Sequence, residues 1–152
     1  MAGRLEIRVD ATDGSVHLGA LAFTDGTPMA QVREAAGALI YREHDVKNGY
    51  FWLSLGCLLL GGQSASIGLC FFQGALEMVT LGVALPDDEL CEDWPTGETS
   101  RRHVNFMQKA LERQLQVTFV EGAADFPWGS VWSRFDPKGF SASAGVVYAR
   151  KR

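Results

Sequence analysis

Residues 50–85 constrain the fold more than any other part of this chain. Three apolar runs, YFWLSLGCLLL (50–60), SIGLCFF (66–72) and ALEMVTLGVAL (75–85), follow one another with only GGQSA and Gln73-Gly74 between them. Each run falls well short of the ~20 residues that cross a bilayer as a helix. The first is apolar on both faces, as a central strand covered on both sides would be. Gln73-Gly74 is a two-residue loop of the hairpin type. In the third, Leu76, Met78, Thr80 and Gly82 alternate with Glu77, Val79, Leu81 and Val83, and neither face is cleanly polar. The expectation is three consecutive antiparallel strands in the middle of a sheet buried on both faces.

The flanks supply the rest of a sheet and its helices. LEIRVD places Leu5, Ile7 and Val9 on one face and charge on the other, a half-buried strand. Asp13-Gly14 turns it back into VHLGALAF. Thr27 and Pro28 suit a helix start. Met29, Val32, Ala36 and Leu39 then recur at helical spacing. YREHDVKNG reads as a polar connector. After Pro86 comes a long acidic loop, then a second helix whose Val104, Met107, Leu111 and Leu115 form one apolar stripe. GSVWSRF and SASAGVVYAR close the chain as a hairpin around Asp136-Pro137-Lys138-Gly139, which fits a type I turn. With 152 residues, no repeat and no linker composition, the sequence predicts one α+β domain over 1–152. Its order is ββ-α-βββ-α-ββ: a single curved antiparallel sheet of about seven strands with two helices packed on it.

Composition narrows the function classes. Net charge is −4 and no long basic face is present, which speaks against nucleic acid. Cys57, Cys70 and Cys91 are widely spaced, and the opening MAGRLEIRVD lacks the apolar core of a secretory signal. A cytoplasmic location with free thiols is expected, without membrane attachment. Cys57 and Cys70 fall in apolar strands, leaving Cys91 as the exposed thiol. No CxxC, HxxH or calcium-loop pattern offers a metal site, and no glycine-rich phosphate loop offers a cofactor site. Acids around Cys91 disfavour its thiolate, and no GxSxG elbow exists. The reading is therefore non-enzymatic, with no catalytic residue, metal or cofactor.

Two places remain as candidate binding residues. Asp87, Asp88, Glu89, Glu92 and Asp93 crowd together beside Trp94. Clustered carboxylates steer a basic partner, and a neighbouring indole serves as an anchor. Near the chain end, Trp128 and Trp132 share a strand face if pairing reaches Trp128, and Arg134 would add a cation for a carboxylate. Those residues, with Trp52, could line a ligand pocket between sheet and helices, the alternative reading to protein binding.

Two segments carry a resemblance. FFQGALEMVTL and FPWGSVWSRFDPKGFSASAGVVYAR are similar to the strand pair and closing hairpin of small bacterial α+β proteins of the immunity-protein-like kind. The resemblance covers mainly the C-terminal half and implies a protein partner, a basic toxin neutralised through the acidic loop. It transfers no functional residue. A homodimer formed by pairing of a sheet edge is also an expectation.

Overall fold

A computed structural model describes residues 4–86, 90–91, 94–95, 97–136 and 141–149. The strands are β1 (Leu5–Val9), β2 (Val16–Leu18), β3 (Leu21–Phe23), β4 (Ile40–Lys47), β5 (Tyr50–Leu60), β6 (Gln63–Phe72) and β7 (Ala75–Val83). Then come the short pair β8 (Leu90–Cys91) and β9 (Trp94–Pro95), followed by β10 (Ala123–Phe126), β11 (Gly129–Asp136) and β12 (Ser141–Tyr148). The helices are α1 (Met29–Ala36), extended by a 3-10 turn over Gly37–Leu39, and α2 (Gly97–Leu115).

One open, mixed sheet of ten strands runs β10-β11-β12-β7-β6-β5-β1-β2-β3, with β4 beside the first half of β5. Three departures from the expected seven antiparallel strands have physical causes. YREHDVKNG is a strand, not a connector. It lies at an edge with nearly every residue exposed, so it shows no apolar alternation to read. VHLGALAF splits at Gly19 into two short strands. β1 joins β5 in parallel at Leu5–Leu58 and Glu6–Leu59, a long-range pairing that local pattern does not encode. The strand β10, also unpredicted, adds a third member to the closing hairpin.

The bulge at Gly56-Cys57 explains how β5 serves two neighbours along one edge. The residues on either side of it, Leu53, Leu55, Leu58 and Leu60, are all fully buried, so the extra residue keeps leucines on one face. Cys57 takes φ 61° there and is exposed, contrary to the expectation that it packs as a small hydrophobe. The predicted Gln73-Gly74 hairpin loop is present: both residues have positive φ (51° and 83°), as a type I′ turn requires. Pro137, Lys138 and Gly139 of the predicted closing turn lie outside the described residues.

Both helices pack on the leucine face. Val32, Ala36, Met107, Leu111 and Leu115 join Leu53, Leu69, Val79, Val131 and Val146 in one buried cluster. Thr27 does not cap α1; its hydroxyl accepts from the Thr24 amide at 2.9 Å and closes the preceding turn instead. At the end of α2, Gln114 works as a piece of β-ladder. Its side-chain amide accepts from Val9 N at 2.8 Å and donates to Ile7 O at 2.9 Å, capping the part of β1 that β5 leaves free. The sheet curls until the β1–β2 loop meets its far end. Tyr148 OH donates to Gly14 O at 2.7 Å, and Trp128 Nε1 to Ala11 O at 2.8 Å.

Candidate protein-binding face

The other face of the sheet is what the expectation of double burial missed. Among the described residues, no helix covers it. Across it runs one transverse row, Arg42–Ser54–Gly68–Thr80–Gly145–Trp132, each a direct neighbour of the next on β4, β5, β6, β7, β12 and β11. A parallel row reads His44–Trp52–Cys70–Met78–Val147–Ser130. The apolar character of both faces of residues 50–83 is therefore real, but one face meets α1 and α2 while the other stays half-buried and open.

Two indoles bracket the middle of this face. A Cβ on Gly68 would stand 3.3 Å from the Trp52 ring, and one on Gly145 2.8 Å from the Trp132 ring. Each indole thus lies over a glycine of the adjacent strand, leaving Thr80 of β7 between them. Trp132 is held by its Nε1–H, which donates to Ser143 Oγ at 3.0 Å. Beside Trp52 the face hollows into a groove of about 420 Å3 whose floor is Ser54, Ser66, Gly68, Thr80 and Gly82 and whose rim is Tyr41, Arg42 and His44. Small residues make this floor because a side chain larger than Ser or Thr would fill it. The signal was legible only in part: glycines and hydroxyls at alternate positions of β5–β7 look like weak strand formers until the indoles above them are seen.

The structure separates the two tryptophans proposed together. Pairing in the closing hairpin starts at Gly129, so Trp128 sits in the Pro127-Trp128 turn. It stacks on Phe126 (centroids 4.7 Å apart, planes 9° apart) and packs against Tyr148 on the core side. Gly14 at φ 75° leaves it room, since a Cβ there would collide with the ring. Trp132 and Arg134 do share the open face; Arg134 is exposed and its Nε donates to Glu121 O at 3.2 Å. Trp52 is on that face as well. None of the three lines a space between sheet and helices, which the buried leucines occupy. Asp87, Asp88, Glu89, Glu92 and Asp93 lie outside the described residues, and of Trp94 only the backbone pairing with Cys91 is described.

One polar constellation escaped the sequence reading. In D-G-S-V-H, Ser15 Oγ donates to Asp13 Oδ1 at 2.7 Å and lies 2.9 Å from His17 Nε2. The Asp13 carboxyl is held below its ordinary range by the Ser15 hydroxyl and amide. The serine proton points at Asp13, so the imidazole donates to the hydroxyl and does not activate it. The network fixes the β1–β2 loop. Elsewhere, burial, with a smaller push from Glu77, raises the Cys70 thiol, which disfavours the reactive thiolate. Among the described residues no three His, Cys, Asp or Glu side chains gather as metal ligands, and no helix is long and apolar enough to cross a membrane.

Fold and face together define a sheet-rich α+β protein with helices on one side of an open sheet and an aromatic, glycine-floored surface on the other. No protein-family model matches the sequence, and no curated protein matches it. The fold is similar to one chain of a solved complex described as Rhs1-CT with its cognate immunity protein RhsI1. The TM-score is 0.53 at 11% identity, covering 93% of this chain and 86% of that one. At this identity the likeness is one of fold.

Proposed function

We propose that this chain is a non-enzymatic protein-binding module of the immunity type, which neutralises a toxin by covering it with the open face of its sheet. The observation that carries the reading is that face: two indoles seated on glycines of β6 and β12 with no helix over them among the described residues. Aromatic residues presented on a rigid sheet are characteristic of interface hot spots, and a soluble chain rarely leaves such a surface unpartnered. The likeness of fold to a chain of a toxin–immunity complex supports the same reading, as does the resemblance of the closing hairpin to immunity-type proteins. The acidic segment Asp87, Asp88, Glu89, Glu92 and Asp93 with Trp94 serves as a second element, steering a basic surface of the partner toward the sheet.

The test is bacterial growth. This chain is expressed alone, and then together with each open reading frame adjoining its gene that arrests growth by itself. Harmless expression alone and restored growth in the pair support the proposal. Growth arrest by this chain alone would place it on the toxin side and end the immunity reading.

A further inference from the structure

We infer that the groove between β4 and β7 receives an acidic, extended segment of the partner, added alongside β4, with its carboxylates on Arg42 and His44. The inference rests on the protein-binding reading above and specifies which chemistry the partner brings to this part of the face.

The charges of β4 are sorted by face. Its two acids point to the helix side and each has a basic neighbour within the chain, Arg33 at 2.6 Å from Glu43 and Lys47 at 3.9 Å from Asp45. Its Arg42 and His44 line the groove and make no ion pair or hydrogen bond among the described residues. Hydroxyls of Ser54, Ser66 and Thr80 on the floor add donors that a carboxylate accepts. Tyr41, 64% exposed, and the half-buried Trp52 give the groove apolar walls. Its volume of about 420 Å3 falls within the range of clefts that take side chains or small ligands, ~300–1,000 Å3. An arginine beside aromatic rings and hydroxyls suits a carboxylate better than any cation.

The edge of β4 supplies the backbone. It pairs with β5 on one side, and among the described residues nothing pairs with the other. An added strand satisfies that free edge and sends alternate side chains over the groove. A second copy of this chain is the wrong occupant. Opposed residues of an antiparallel pair share a face, so a two-fold pairing of β4 with itself joins residues of equal parity. One register sets Glu43 against Glu43 and Arg42 against His44; the next sets Glu43 against Asp45 and His44 against His44. Both place like charges directly opposite, which destabilises a sheet pair. A heterologous strand with acids on the groove side removes the conflict.

The experiment uses the full chain and two dye-labelled, end-capped octapeptides, alternating Glu-Val and alternating Lys-Val, followed by fluorescence anisotropy at low salt. Saturable binding of the Glu-Val peptide is expected, at least about tenfold tighter than the Lys-Val peptide. R42E should weaken it at least about tenfold and Arg42→Ala by less, while R113E, an equal charge change on exposed α2, leaves it within about twofold. Absence of saturable binding, equal binding of both peptides, or equal loss in R42E and R113E would overturn the inference. The growth assay is separate: peptide binding without protection keeps the groove and removes the immunity role, and protection without peptide binding does the reverse.

Discussion

Trp132 rests on Gly145, its cross-strand partner, closely enough that one added methyl at 145 would stand 2.8 Å from the ring. The same methyl would press on the Val79 carbonyl of the neighbouring strand. The two contacts together explain why a buried strand carries glycine at its centre: the Val79 carbonyl, the nearer of the two, and the indole leave no room for a side chain.

Gly145→Ala should therefore lift Trp132 off the sheet and destabilise the fold by about 1–3 kcal/mol, the usual cost of overpacking. Urea denaturation reads the loss, and the Trp132 emission should shift to the red as the ring gains solvent. Unchanged stability and emission would mean that the ring is not seated as described.

Gln114→Ala should cost about 1–3 kcal/mol, because it leaves Val9 N–H and Ile7 C=O without the partners that α2 supplies. In a chain of this size that is a fall of several degrees, ~2–4 °C per kcal/mol, in the thermal midpoint. A loss below about 0.5 kcal/mol would show that water replaces the side chain at that edge.

Tyr148 gives the fold a dependence on alkaline pH. Burial, assisted by the Asp25 and Asp13 carboxylates, pushes its phenol far above the ordinary value. The unfolded chain ionises near pH ~10 while the folded one keeps its proton. The stability is thus fully present below that pH and is lost as pH rises above it, by up to ~1.4 kcal/mol per unit. Tyr148→Phe also leaves Gly14 O without its donor, which should cost about 1–2 kcal/mol at pH 8. Between pH 9 and 11 (~1 unit either side of the free phenol) its urea midpoint should fall less than that of the native chain. Parallel declines would contradict the assignment.

Charge reversal at Asp87, Asp88 and Glu92 should slow association with the toxin partner by about tenfold or more at low salt and leave thermal unfolding unchanged. The difference should shrink as salt rises. Equal association rates would remove the acidic segment from the binding account.

Much of this architecture was legible in the sequence because it is local. β1 shows its alternation, Gln73-Gly74 its turn chemistry, and α2 its apolar stripe, and each forms where the pattern puts it. β4 was not legible: a strand with both faces in water has no reason to alternate, and Tyr41-Arg42-Glu43-His44-Asp45 looks like a connector. The parallel β1–β5 contact was hidden because it depends on a bulge at Cys57 and on residues far apart in the chain. The face itself was half visible. Apolar residues on both sides of β5–β7 announced two surfaces to be covered, but sequence alone does not say that α1 and α2 both pack on the same one. Trp132 and Arg134 were singled out correctly as neighbours on one face, whereas Trp128 belongs to the turn at the core side, since a turn resets the alternation that spacing assumes.

The central claim is that the helix-free face is the surface that meets a protein. Gly82→Tyr addresses it directly, since Gly82 lines the groove and the nearest atom to a Cβ there is 3.5 Å away, so the substitution fills the face without disturbing the strand. Calorimetric titration of the protein whose toxicity this chain relieves in the growth assay should show saturable one-to-one binding by the native chain and a loss of about a hundredfold or more in G82Y at unchanged thermal stability. Binding of G82Y as tight as the native chain would contradict the account.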